Sequence, residues 1–148
     1  GHPCDGRLLE RLIAQAASWG AIQYEQDWLV ESFLGVRGLR AEPGRAREWQ
    51  EGLDRAAAQH GMSLLWCMAT PADFMQTVTL ERVAAIRTSG DYSYRIPPAL
   101  NWAWFLLGNA FARALGLTAF KDVFLSDAKG EGWDGDPHAE LEALLAAQ

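Results

Sequence analysis

The sequence predicts an α/β fold on a parallel sheet of four strands: about four βα units of a TIM barrel, a (βα) half-barrel completed by oligomerisation. Three observations predict it. Segments with helical apolar spacing alternate with short apolar runs in the order α-β-α-β-α-β-α-β-α, and strict alternation gives parallel strands joined by right-handed crossovers. The first strand runs into QYEQDWL, with carboxylates where a doubly wound nucleotide binder carries glycines to cradle phosphate. Finally, 148 residues make one compact domain, short of the about 200 that eight βα units need. Residues 1–148 therefore read as a single partial barrel domain.

In chain order, Asp5 to Ser18 reads as a helix, with Leu8, Leu9, Leu12, Ile13 and Ala16 on one side, Asp5 as its cap and Gly20 as its stop. Ala21 to Tyr24 is a short strand that turns polar at Glu25-Gln26-Asp27. A loop containing Gly35, Gly38, Pro43 and Gly44 follows. Arg45 to His60 is a second helix with Trp49, Leu53, Ala56 and Ala57 inward, closed by Gly61. MSLLWCMAT is continuously apolar, as in a strand buried on both faces, and Pro71 stops it. A short helix spans Ala72 to Thr79. VAAIRTS is the third strand, Ala99 to Leu115 a long apolar helix, FKDVFLS (Phe120 to Ser126) the fourth strand, and His138 to Ala147 the last helix.

Composition narrows the function. The apolar fraction of 49% with seven tryptophans excludes disorder, and a net charge of −6 with only two lysines leaves no basic stripe for nucleic acid. No charge-free apolar run reaches about 18 residues, so no membrane span is expected, and the start shows no signal-peptide pattern. Cys4 and Cys67 are too few and too distant for a metal knuckle or a disulfide framework, and His2, His60 and His138 have no ligand spacing; no metal or other cofactor is expected. The DAKGEGWDGD loop has the composition of a calcium loop without its spacing.

Asp27 and Asp91 each follow the C-terminal end of a strand, the face on which barrel enzymes carry their chemistry. Two carboxylates flanking one bond are what glycoside hydrolysis requires, about 5–5.5 Å apart for retention and about 6.5–9.5 Å for inversion. Arg87 can grip a sugar hydroxyl or a carboxylate, or simply tie Asp91 in a salt bridge. Trp28, Trp66 and Tyr92 stand near strand mouths, where aromatic faces stack on sugars, although core packing is tryptophan's commoner use. Cys67 reads as a small hydrophobe lining the strand interior. Asp122, inside the fourth strand, either points into the barrel mouth or, with Lys121, flanks the sheet edge, and the edge is the preferred reading.

Arg87-Thr88-Ser89-Gly90-Asp91 resembles the W-R-T/S-x-G/D-D-I segment that ends the sixth strand of α-galactosidase-type (clan D) glycoside hydrolases, with Ile86 for the Trp and Tyr92 for the Ile. IQYEQDWL is similar to that family's fourth strand, L-K-Y/W-D, with Glu25 in place of the lysine, and SLLWCMATP stands where its fifth strand belongs. DPHAELEALLAAQ looks like its seventh helix. The resemblance implies strands four to seven of a barrel, a carbohydrate substrate, Asp27 as nucleophile, Asp91 as acid/base, and Glu25, Trp28, Trp66, Cys67, Arg87 and Tyr92 as substrate contacts. Four strands leave two open edges and an uncovered inner face, so a homodimer closing an eight-stranded barrel is expected. Two other readings stay open: a catalytically inactive half-barrel that folds as a homo-oligomer, and a small-molecule domain in which Arg87 grips an anion.

Overall fold

The computed structural model describes residues 6–91, 97–122 and 138–146. Tyr92, Cys4, the Asp5 cap, most of the expected fourth strand and the DAKGEGWDGD loop lie outside them. The described residues form twelve elements: α1 (Gly6–Ser18), β1 (Gln23–Gln26), α2 (Leu29–Gly35), α3 (Arg37–Ala41), α4 (Arg45–Gln59), β2 (Ser63–Trp66), α5 (Pro71–Gln76), a 3-10 turn (Thr77–Thr79), β3 (Val83–Arg87), α6 (Pro98–Ala114), β4 (Thr118–Phe120) and α7 (Ala139–Ala146). The fold is α/β, with one parallel four-stranded sheet in the spatial order β1-β2-β3-β4.

Order and register decide which side chains share a face. Tyr24 pairs with Leu64 and Leu64 with Val83; Trp66 pairs with Ile86 and Ile86 with Ala119. All six belong to, or pack against, one apolar cluster with Leu9 and Ile13 of α1, Leu53, Ala56 and Ala57 of α4, and Ala112 of α6. One face of the sheet is therefore the core, covered by helices. Strands that advance in one direction with crossovers of one hand put their helices on one side, whereas a doubly wound sheet reverses direction to cover both.

The opposite, inner face carries the alternate residues: Gln23 and Glu25 on β1, Ser63 and Leu65 on β2, Ala85 and Arg87 on β3, Thr118 and Phe120 on β4. A register shift between Leu64 and Leu65 bulges Ala84 out of β3 and keeps this alternation in step. The inner face is thus mixed in polarity rather than bare and apolar, and β2 alternates between buried and half-buried residues instead of being buried on both sides.

Each helix-to-strand turn ahead of β1, β2 and β4 has a glycine at positive φ: Gly20, Gly61 and Gly116. A left-handed residue just past a helix is favoured as glycine because it has no Cβ to clash. The expected loop after β1 instead forms two short helices, α2 and α3, which seat Leu29 and Leu39 in the core. The fourth strand begins two residues earlier than expected: Gly116 turns the chain directly into Thr118, which pairs with Ala85. Beyond that strand, Lys121 pairs with the buried Glu142 of α7 at 2.6 Å.

Candidate active site

Continuing the register one step past β1 and β2 sets Asp27, Cys67 and Arg87 in one cross-strand row at the C-terminal rim, facing inward. Adjacent strands stand about 4.8 Å apart, so this row brings together residues some 60 positions apart in the chain. Trp28 donates its amide to Asp27 Oδ1 at 2.7 Å, orienting the carboxylate. The ligating atoms of Glu25, Asp27 and Cys67 lie within 4.8 Å of one another. Burial pushes the Cys67 thiol well up, the hydrogen bonds and negative charge of its carboxylate neighbours push it further, and Arg87 opposes them. Cys67 is therefore a protonated thiol at neutral pH. Among the described residues, this trio is the group able to hold a cation.

Trp28 and Met68 immediately follow Asp27 and Cys67, and both adopt left-handed backbone, at φ 59° and 51°. The strain, about 1–2 kcal/mol for each non-glycine residue, is held by tertiary bonds: Val30 donates its amide to the Met68 carbonyl at 3.2 Å. Such kinks stop both strands just past the same cross-strand row and turn the chain out over the rim.

The RTSGD segment divides its tasks residue by residue. Arg87, with 8% of its side chain exposed, pairs through Nη1 with Asp91 Oδ1 at 2.8 Å and Asp122 Oδ2 at 3.3 Å. Thr88 donates both its amide (3.0 Å) and its hydroxyl (3.1 Å) to the Phe120 carbonyl. Ser89 Oγ accepts the Asp122 amide at 2.8 Å. Thr88 and Ser89 thus tie the strand exit to β4, and Asp91 stands out from this anchored base with 62% of its side chain exposed.

Asp27, Glu25 and Cys67 lie together; Arg87 adjoins Cys67 and holds Asp91. Trp28 stands at the rim, 58% exposed. Trp66 does not join them. It is fully buried among the helices, because it sits one residue before Cys67 and alternation turns it to the other face. Asp122, expected at an edge, is a second partner of Arg87. The signal for it was the position of β4: with that strand ending at Phe120, Asp122 becomes a rim residue. Glu31 and Trp104 also reach this rim, and helical spacing alone does not mark either as a site residue. Asp27 and Asp91 differ in partners: Asp27 takes the Trp28 amide, and Asp91, 62% exposed, pairs with Arg87.

No protein-family model matches this chain, and no curated protein matches it.

Proposed function

We propose that this chain is a fragment or truncated relative of a retaining glycoside hydrolase of the α-galactosidase type. The observation that carries the reading is the rim row: Asp27 oriented by the Trp28 amide, and Asp91 held by Arg87 two strands away. In this reading the Asp27 carboxylate attacks the anomeric carbon. The bond to the leaving oxygen breaks as Asp91 gives that oxygen its proton. Water, deprotonated by Asp91, then displaces Asp27 and restores both groups. Trp28, exposed beside Asp27, offers a face for the sugar ring. The barrel wall is completed by a second copy.

The test is hydrolysis of a panel of activated aryl glycosides. Turnover is expected for the wild type and abolished in Asp27→Ala. Asp91→Asn is expected to slow it by about 10²–10⁴. A wild-type chain that turns over no glycoside, or an Asp27→Ala variant as fast as wild type, defeats the reading.

One observation favours the inactive half-barrel as the alternative: Glu25 sets a like charge beside Asp27 where the resemblance has a lysine. That alternative predicts no turnover and no loss of stability in Asp27→Asn. Anion capture by Arg87 is weaker, because the guanidinium already holds two carboxylates that an anion has to displace.

A further inference from the structure

We propose that the cavity beside Asp91 receives the leaving group of the glycoside, and that it selects an apolar planar aglycone over a second sugar, with Trp104 as the specificity-determining residue. The inference rests on the glycosidase reading, in which the proton donor stands next to the leaving oxygen.

The cavity has a volume of about 500 Å³ and lies among the exits of β2 and β3, the start of α2 and the α6 helix. That size suits a bicyclic ring system. Asp91 and Arg87 form one wall, and Asp27 is not among its lining residues. The cavity therefore belongs to the proton donor's side of the scissile bond.

Its chemistry is apolar by default and by prior commitment. Val30, Met68, Ala69 and Pro71 supply hydrocarbon. The polar groups nearby are largely spent. The Thr70 hydroxyl bonds Asp73 at 2.7 Å, Ser89 Oγ takes the Asp122 amide, and Arg87 Nη1 serves two carboxylates. Glu31 and Arg87 retain capacity: the buried Oε2 of Glu31 and the buried Nε of Arg87 have no hydrogen-bond partner. A second sugar presents several hydroxyls, each needing a partner once water is removed. One spare carboxylate oxygen and one spare guanidinium N–H meet two hydroxyls at most, not a ring of them.

Trp104 gives the cavity its flat surface. The indole packs over Gly90, the residue before Asp91: a Cβ there would come within 3.3 Å of Trp104 Cζ3. The glycine lets the ring close over the backbone beside the proton donor. The ring is 53% exposed, so its apolar area awaits a partner rather than filling the core.

The experiment is ligand-observed saturation-transfer NMR on the full chain, with free 4-methylumbelliferone as the aglycone probe and glucose, galactose and mannose as sugar probes. Binding of 4-methylumbelliferone is expected, weakened about fivefold or more by Trp104→Ala. Gly90→Val, which pushes the ring out of place, is expected to weaken it as well. Trp19→Ala, distant from the cavity and 76% exposed, is expected to leave it unchanged. Absent binding, binding indifferent to both cavity variants, or monosaccharides displacing the probe overturns the inference. The readout needs no turnover, so the two failures separate. Glycosides cleaved through Asp27 with a Trp104-indifferent probe defeat the cavity assignment alone. A Trp104-dependent probe in a chain that cleaves no glycoside defeats the glycosidase reading and, with it, the leaving-group role.

Discussion

Arg87 and Asp91 are joined by one short ion pair, yet the two ends have unequal structural weight. Arg87 is almost wholly buried and serves two carboxylates, while Asp91 is mostly in water. Removing the buried cation leaves Asp122, 23% exposed, without its partner, so Arg87→Met is expected to cost about 1–3 kcal/mol in urea unfolding. Asp91→Asn is expected to cost under about 1 kcal/mol, because exposed ion pairs contribute little. Equal losses from the two variants would contradict this division between anchor and free tip. Cys67 provides a second residue-level test. Its thiol titrates well above the ordinary value in the folded chain and near about 8.5 in the unfolded chain. Below that pH both states keep the proton and stability does not change on this account. Above it the unfolded state loses the proton first, so stability falls by up to about 1.4 kcal/mol per pH unit. Unfolding free energies at pH 8 and 9.5 are expected to show this slope in the wild type and a flatter one in Cys67→Ala. At this scale the positions of Asp27 and Asp91 past the ends of β1 and β3 were legible, because each follows a segment read as a strand. Asp122 was legible only as the less favoured of two readings, because the fourth strand was expected to run to Ser126 and instead ends at Phe120.

The secondary elements were readable where apolar spacing was long and a glycine ended it, as in α1, α4 and α6. The segment after β1 was not, because its glycines and proline mark turns whether or not short helices lie between them. Two helix glycines show how tertiary contact reverses a local preference. Replacing an interior helix glycine by alanine ordinarily gains about 0.5–1 kcal/mol. At Gly52 in α4 the new Cβ meets the flexible end of Leu9 at 3.2 Å, which has room to yield. At Gly108 in α6 it meets the Thr88 backbone carbonyl at 2.8 Å, which is fixed by the bonds to Phe120. Thermal or urea unfolding is therefore expected to show Gly52→Ala neutral or more stable and Gly108→Ala less stable by about 1–3 kcal/mol. The close approach at Gly108 brings α6 onto the RTSGD segment, and through it Trp104 onto Gly90.

Among the described residues, helices cover one face of the sheet and none covers the other, and β1 is an edge strand. Exposed apolar side chains include Trp19 (76%) and Ile22 (82%) next to β1, and Leu100, Leu106 and Leu107 along α6. Monomeric soluble proteins seldom leave large apolar patches uncovered, and open strand edges invite pairing. The half-barrel reading accordingly expects a dimer in light scattering at micromolar concentration, disrupted by Ile22→Lys. A stable wild-type monomer would remove the closure argument. In that reading the drive for association is assigned to the edge and the helix surface rather than to the inner face, whose Gln23, Glu25, Ser63 and Thr118 are compatible with water. The alternation of helices and parallel strands, and carboxylates at strand ends, were determined by the sequence alone, since apolar period and turn residues act over a few neighbours. The row that joins Asp27 to Cys67 and Arg87, the turning of Trp66 into the core, the recruitment of Asp122 and the cavity under Trp104 were decided only by the tertiary structure. Each depends on register between strands tens of residues apart, where a one-residue slip moves every side chain to the other face.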